Sequence, residues 1–72
     1  MLLEWSPLDA LGHTWVLRYG RFPEPLGYVS FNGCMWTGKV FYRNVVRFVP
    51  PNMNVHMIAD DVETSAKYLL GL

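Results

Sequence analysis

The sequence is short of the residues that build catalytic and metal centres. Among its 72 residues there is one cysteine, Cys34, so an internal disulfide is excluded. His13, Cys34 and His56 lie at no spacing typical of metal ligands. No serine or cysteine has the context of an activated nucleophile, and no glycine-rich loop precedes a helix. We therefore predict a protein that is not an enzyme, with no catalytic residue, metal or cofactor, and we expect Cys34 to be a buried structural thiol.

The chain also lacks an excess of charge and any long apolar run. Its formal net charge is zero at pH 7, so it is not tuned as a whole for nucleic acid or an anionic membrane. No segment approaches the ~20 apolar residues that a membrane helix needs. We expect no secretory signal at its start. We expect a single domain over residues 1–72, located in the cytoplasm and without a membrane partner.

The charges that are present separate along the chain. Residues 13–58 hold five basic residues and one acid, about +4, whereas the two ends hold five acids and one lysine, about −4. If both ends pack on one side of a sheet, the other side is basic. The basic residues of the central part are Arg18, Arg21, Lys39, Arg43 and Arg47.

Alternating apolar residues predict strands in the first half of the chain. In 13–19, Trp15 and Tyr19 share one face of a strand, and Leu26–Phe31 forms the next strand. Asn32-Gly33 is typical of a two-residue hairpin turn, which would pair residue 31 with 34 and residue 29 with 36. That register places residues 29 and 36 in the core and Tyr28 on the opposite face.

The second half is less uniform. Residues 40–49 form either one long bent strand or a hairpin with a turn at Arg43-Asn44, and Pro50-Pro51 ends the strand. Gly38 is a candidate for a β-bulge. Residues 55–58 are expected to add a short strand.

The two termini are expected to be helical. Ser6, Pro7 and Asp9 predict a short helix that folds over the sheet, with an N-terminal edge strand as the alternative. Asp60 caps a C-terminal helix that Gly71 ends. The predicted fold is α+β, a small antiparallel sheet of three to four strands packed against one C-terminal helix.

Surplus aromatic residues indicate a binding surface. Aromatic residues make up 15% of the chain, more than one small core usually hides. Trp, Tyr and Arg dominate protein–protein hot spots, and the stiff loop 20–25 presents an arginine and a phenylalanine. The rings would anchor a partner and the cations would orient it. The predicted contacts are Arg18, Arg21, Phe22, Tyr28, Lys39 and Arg43.

Two other functions use the same residues. Basic and aromatic side chains on an open sheet can bind DNA or RNA, and the layout resembles the arm-binding domains of phage integrases. A homodimer or larger assembly is the other alternative, with Trp5 or the strand edge 45–49 as its seam.

Several segments also resemble small phage and prophage accessory proteins. These segments are Trp15–Gly20, Gly27-Tyr28-Val29, Trp36 and Asp60–Leu70. The resemblance implies a phage-encoded protein of the anti-defence or anti-CRISPR type. Such a protein inhibits host machinery, for example a defence nuclease complex, by stoichiometric protein contact in the host cytoplasm.

Overall fold

Five strands precede one helix in the computed structural model, which describes residues 3–20 and 22–71. Consecutive strands pair antiparallel, so the sheet has the order β1-β2-β3-β4-β5. The α+β class is confirmed, and the sheet has five strands rather than the predicted three to four. The elements are β1 Leu3–Pro7, β2 Thr14–Tyr19, β3 Gly27–Phe31, β4 Trp36–Tyr42, β5 Val45–Asn52 and α1 Val55–Leu70.

The N-terminal segment is an edge strand and not the predicted short helix. Strand β1 pairs with β2 from Leu3 opposite Tyr19 to Pro7 opposite Trp15. The carboxylate of Asp9 accepts hydrogen bonds from the amides of residues 13 and 14, at 2.9 and 3.3 Å. Asp9 therefore closes the loop between two strands, where it was expected to favour the start of a helix.

A four-residue loop joins β3 to β4, where a two-residue turn was predicted. The side-chain oxygen of Asn32 accepts from the amides of Cys34 and Met35, at 2.9 Å each. The amide of Asn32 in turn donates to the carbonyl of Met35 at 3.0 Å. Cys34 is exposed in this loop, so the prediction of a buried thiol is wrong.

The longer loop shifts the register without exchanging the two faces. Phe31 lies opposite Trp36 and Val29 lies opposite Gly38, two residues away from the predicted pairing. Because side chains alternate with a period of two, a shift of two residues leaves the side chains within β3 and β4 on their predicted faces. Val29 is buried and Trp36 is half-buried on the helix side, as the sequence predicts.

The hairpin alternative is correct for the second half of the sheet. Tyr42 lies opposite Val45 across a turn at Arg43-Asn44, and Arg43 has a positive φ of 58°. The β4–β5 register shifts near Gly38, as a bulge there would require. Strand β5 runs through Pro50 and Pro51 instead of ending at them, because prolines are tolerated on an edge strand.

The helix begins five residues earlier than the sequence predicts, at Val55 rather than Asp60. Asn54 is the N-cap, and its side chain accepts from the amide of His56 at 3.0 Å. Residues 55–58 therefore form the first helical turn and not a strand. Gly71 ends the helix with a φ of 79°, as predicted. Within the described ranges, no helix has both the length and the apolar character needed to cross a membrane.

Two glycines bring the helix against the sheet. A Cβ atom on Gly38 would lie 2.9 Å from Cγ2 of both Ile58 and Val62, and one on Gly27 would lie 2.7 Å from Cγ1 of Val62. Both strands therefore need glycine where the helix crosses them. The core between the two layers comprises Leu17, Leu26, Val29, Val40, Val49, Ile58, Val62 and Ala66.

Candidate partner-binding surface

The face of the sheet opposite α1, here called the outer face, is covered by no other element of the part of the chain that the structure describes. Its central row crosses four strands, because Val16 lies opposite Tyr28, Tyr28 opposite Lys39, and Lys39 opposite Phe48. Val16 is buried in this row, whereas Lys39 and Phe48 are exposed. By strand alternation the outer face also carries Glu4, Ser6, Thr14, Arg18, Ser30, Thr37, Phe41 and Val46.

Aromatic and cationic side chains hold one another on this face. The ammonium of Lys39 lies 5.2 Å from the ring centroid of Phe48, within the range of a cation–π interaction. The rings of Tyr28 and Phe41 lie 5.4 Å apart at a tilt of 47°. Phe48 nevertheless remains 70% exposed. A large ring this open on a sheet face is available to a partner.

A row of hydroxyl groups borders these rings. Thr14 Oγ1 and Ser30 Oγ are 3.4 Å apart, and the hydroxyl of Thr37 donates to the carbonyl of Ser30 at 3.3 Å. Together with Tyr28 and Phe48, these residues line an open concavity of about 540 Å³. The outer face therefore offers rings, cations and hydroxyl groups side by side.

Strand β5 adds a free edge to this surface. The amide of Phe41 donates to Leu26 on the β3 side at 2.8 Å. Because ladder hydrogen bonds alternate sides along a strand, Val46 and Phe48, which lie opposite Phe41 and Lys39, direct their amides away from β4. No described strand lies beyond β5. The edge therefore carries both exposed apolar side chains and backbone groups that can pair.

Phe22 and Arg43 lie apart from the outer face, at the end of the sheet. The Phe22 ring packs edge-on against Tyr19 at 5.2 Å and stacks with Tyr42 at 6.0 Å. The Arg43 guanidinium lies 5.2 Å from the Tyr42 ring. Phe22 and Arg43 line a concavity of about 360 Å³ together with the loop prolines. Phe22 is thus exposed but anchored by its neighbours.

The structure therefore divides the predicted contact residues into two groups. Arg18, Tyr28 and Lys39 share the outer face, and Arg18 also donates to the carbonyl of Pro23 in the adjacent loop at 3.3 Å. Phe22 and Arg43 form a second group at the sheet end, in a concavity that Phe41 of the outer face also lines. The prediction for Arg21 falls outside the described residues.

Phe48 was not among the six predicted partner contacts, although the strand edge 45–49 of the assembly alternative includes it. Its position opposite Lys39 follows only if 40–49 folds as a hairpin with its turn at Arg43-Asn44. The sequence is also compatible with one long strand, in which Lys39 and Phe48 would not pair. The signal that favours the hairpin is the strand-forming sequence on both sides of a polar dipeptide.

The candidate ligands for metal chemistry lie in separate places. His13 is in the β1–β2 loop, Cys34 is in the β3–β4 loop, and His56 is in the first turn of α1. Among residues 3–20 and 22–71, no three His, Cys, Asp or Glu side chains are grouped as a metal site requires.

The resemblance to phage accessory proteins stays a prediction. Comparison of this chain with protein-family models, with curated proteins and with solved structures found no match.

Proposed function

We propose that this protein is a non-enzymatic binding protein that contacts another protein through the outer face and the β5 edge. The observation that carries the proposal is Phe48, 70% exposed beside Lys39 on the outer face of an edge strand. An exposed ring next to a cation is the combination that anchors and orients a protein partner.

Charge favours an acidic partner surface. Residues 25–59 contain three basic residues and no acidic residue. Lys39 lies on the outer face, Arg43 lies in the β4–β5 turn, and Arg47 lies opposite Val40 on the helix side of the edge strand. Opposite charge on the partner would steer the encounter and fix its orientation, while the apolar side chains supply contact area. Arg18 also lies on the outer face, but Glu4 of β1 lies opposite it, so the net positive charge of this face comes from Lys39.

The free edge favours a different protein over a second copy of this chain. Antiparallel pairing of two β5 strands through their outward residues, Val46 and Phe48, would place the two Arg47 side chains opposite each other. Like charges in that arrangement are destabilising. A partner that adds an extended acidic segment to this edge avoids the repulsion.

The biological setting that we propose follows from the resemblance to phage accessory proteins. In that setting the protein is phage-encoded, acts in the host cytoplasm, and inhibits a host assembly such as a defence nuclease complex by occupying its surface. The small size and the exposed binding face suit a stoichiometric blocker, because inhibition then needs only affinity and no chemistry.

The test compares two substitutions that each remove an exposed ring. Phe48→Ala changes the outer face, and Tyr68→Ala changes the solvent side of α1, where Tyr68 is 77% exposed. Partners captured from a bacterial host lysate are quantified by mass spectrometry with the wild type and both variants. We expect Phe48→Ala to reduce capture by about tenfold or more, as for a hot-spot residue, and Tyr68→Ala to leave capture unchanged. Equal capture by all three proteins would show that the outer face is not part of the binding site.

Nucleic-acid binding is the second candidate, because Tyr28, Phe41 and Phe48 lie on an open sheet beside Lys39. Such rings can stack bases while cations contact phosphates. Fluorescence anisotropy with mixed-sequence single-stranded DNA and RNA tests this function. Affinity that falls steeply with salt would support it, and no binding at low salt would reject it.

A further inference from the structure

Three tryptophans surround a cleft on the helix side of the sheet, far from the outer face. Trp5 of β1, Trp15 of β2 and Trp36 of β4 are all half-buried against the N-terminal half of α1. The cleft has a volume of about 360 Å³ and opens to solvent. Its other lining residues are Gly12, Val29, Val55, His56 and Ala59.

Hydrogen bonds and ring contacts hold the tryptophans in place. The indole nitrogen of Trp5 donates to a carboxylate oxygen of Glu63, and that of Trp15 donates to the carbonyl of Gly12 at 2.9 Å. The ring of Trp36 lies 5.2 Å from the ring of Phe31. Because the two indole N–H groups already have partners, these rings offer a ligand mainly their carbon edges and π faces. A site held in this way loses little entropy when it binds.

The charges around the cleft are acidic. Glu63 contacts Trp5 directly, Asp60 follows the lining residue Ala59, and Asp9 lies in the loop that supplies Gly12. Residues 48–66 contain three acids and no lysine or arginine, and of the two acids in residues 1–17, Glu4 lies opposite Arg18 on the outer face, away from the cleft. Within the described part of the chain, no lysine or arginine lines the cleft.

We propose that this tryptophan cleft binds a quaternary ammonium group. Tryptophan faces attract cations more strongly than other rings do, and a trimethylammonium group is weakly hydrated and apolar at its surface. The acidic surroundings add attraction that an uncharged group of the same shape would lack. The site shares no residue with the central row of the outer face, so it does not depend on the proposed protein-binding function.

The first experiment titrates the wild type with three small molecules at constant ionic strength. Choline carries the trimethylammonium group, its carbon isostere dimethylbutanol has the same shape without charge, and betaine adds a carboxylate. Binding is followed by tryptophan fluorescence and by NMR of the indole N–H signals. A cation–π contribution of ~1.4 kcal/mol corresponds to about tenfold, so choline should bind about tenfold more tightly than dimethylbutanol. Betaine should bind more weakly than choline because the acidic residues near the cleft repel its carboxylate.

Equal affinity for choline and dimethylbutanol would overturn the proposal, because the cleft would then recognise shape alone. The absence of any saturable change with choline would overturn it as well. Neither result bears on the capture experiment with Phe48, so the two proposals fail separately.

Two variants locate the binding. Glu63→Gln keeps an oxygen acceptor for the Trp5 indole while removing the charge. We expect it to weaken the binding of choline several-fold without changing the affinity for dimethylbutanol. Trp36→Leu removes a π face and should lower the affinity for choline more than the affinity for dimethylbutanol. Tyr68→Leu should change neither affinity. If Trp36→Leu does not fold, Glu63→Gln alone decides. Unchanged choline affinity in folded Glu63→Gln would refute the electrostatic part of the argument.

Discussion

Replacement of Gly38 by alanine tests how closely the helix lies against the sheet. The added Cβ would lie 2.9 Å from Cγ2 of Ile58, 2.9 Å from Cγ2 of Val62 and 3.1 Å from Cβ of Val49. These are short branched side chains in a packed core, so the helix must move or the side chains must leave their preferred rotamers. Overpacking of this kind costs about 1–3 kcal/mol.

The sign of the effect makes this prediction decisive. In a strand without the close contact, replacing glycine by alanine stabilises by about 0.5–1 kcal/mol. We expect the opposite sign at Gly38, with a net loss of about 2 kcal/mol in the free energy of unfolding. For a domain of this size, each 1 kcal/mol lowers the melting temperature by roughly 4–8 °C, so the shift should be roughly 8–16 °C.

A double-mutant cycle assigns the cost to the named contact. Urea and thermal unfolding are followed by circular dichroism for Gly38→Ala, Val62→Ala and the double variant. Val62→Ala alone should destabilise by about 1–3 kcal/mol because it leaves a cavity. It also removes one of the clashing methyl groups, so the double variant should be less destabilised than the sum by at least about 0.5 kcal/mol. A stabilising Gly38→Ala, or strict additivity, would refute the reasoning.

Two further predictions test the corrected local structure. Asn54→Ala should destabilise the protein by about 1 kcal/mol because it removes the N-cap of α1. Asp60→Ala, at the helix start predicted from sequence, should destabilise it clearly less. Urea unfolding of both variants measures the two losses, and equal losses would contradict the assignment of the cap. The exposed thiol of Cys34 should react with Ellman's reagent in the native protein nearly as fast as in the unfolded chain, and Cys34→Ser should leave the stability within about 0.5 kcal/mol. Strong protection of the native thiol would contradict its position in the loop.

The two proposed sites lie on opposite sides of one sheet and have opposite charge. The outer face holds Arg18 and Lys39, with Glu4 opposite Arg18, whereas the tryptophan cleft lies beside Glu63. The sequence indicated this separation, since the basic residues are central and the acids are terminal. The fold converts it into two faces only in part. The acids of α1 lie on the helix side, whereas Glu4 of β1 lies on the outer face and Arg47 lies opposite Val40 on the helix side.

Local pattern determined which side chains point inward. The alternation in β2 and β3 predicted the two faces correctly, and even the wrong register at Asn32 did not exchange them, because the error was an even number of residues. Gly71 likewise ended the helix as predicted, since a residue with positive φ is a local requirement. The two faces of a strand and the residue that ends a helix depend on neighbouring residues alone, so they can be predicted without knowing the rest of the fold.

Only the tertiary structure decided the features that depend on distant partners. The N-terminal segment becomes a strand because β2 offers it an edge, although Ser6 and Pro7 locally favour a helix start. The helix begins at Val55 because the earlier start places Ile58 against Gly38, a contact between residues far apart in sequence. Two juxtapositions arise in the same way, from strand order and helix position. They are the contact of Phe48 with Lys39 and the grouping of three tryptophans around one cleft. No local pattern encodes these pairings, because their free energy depends on side chains that only folding brings together.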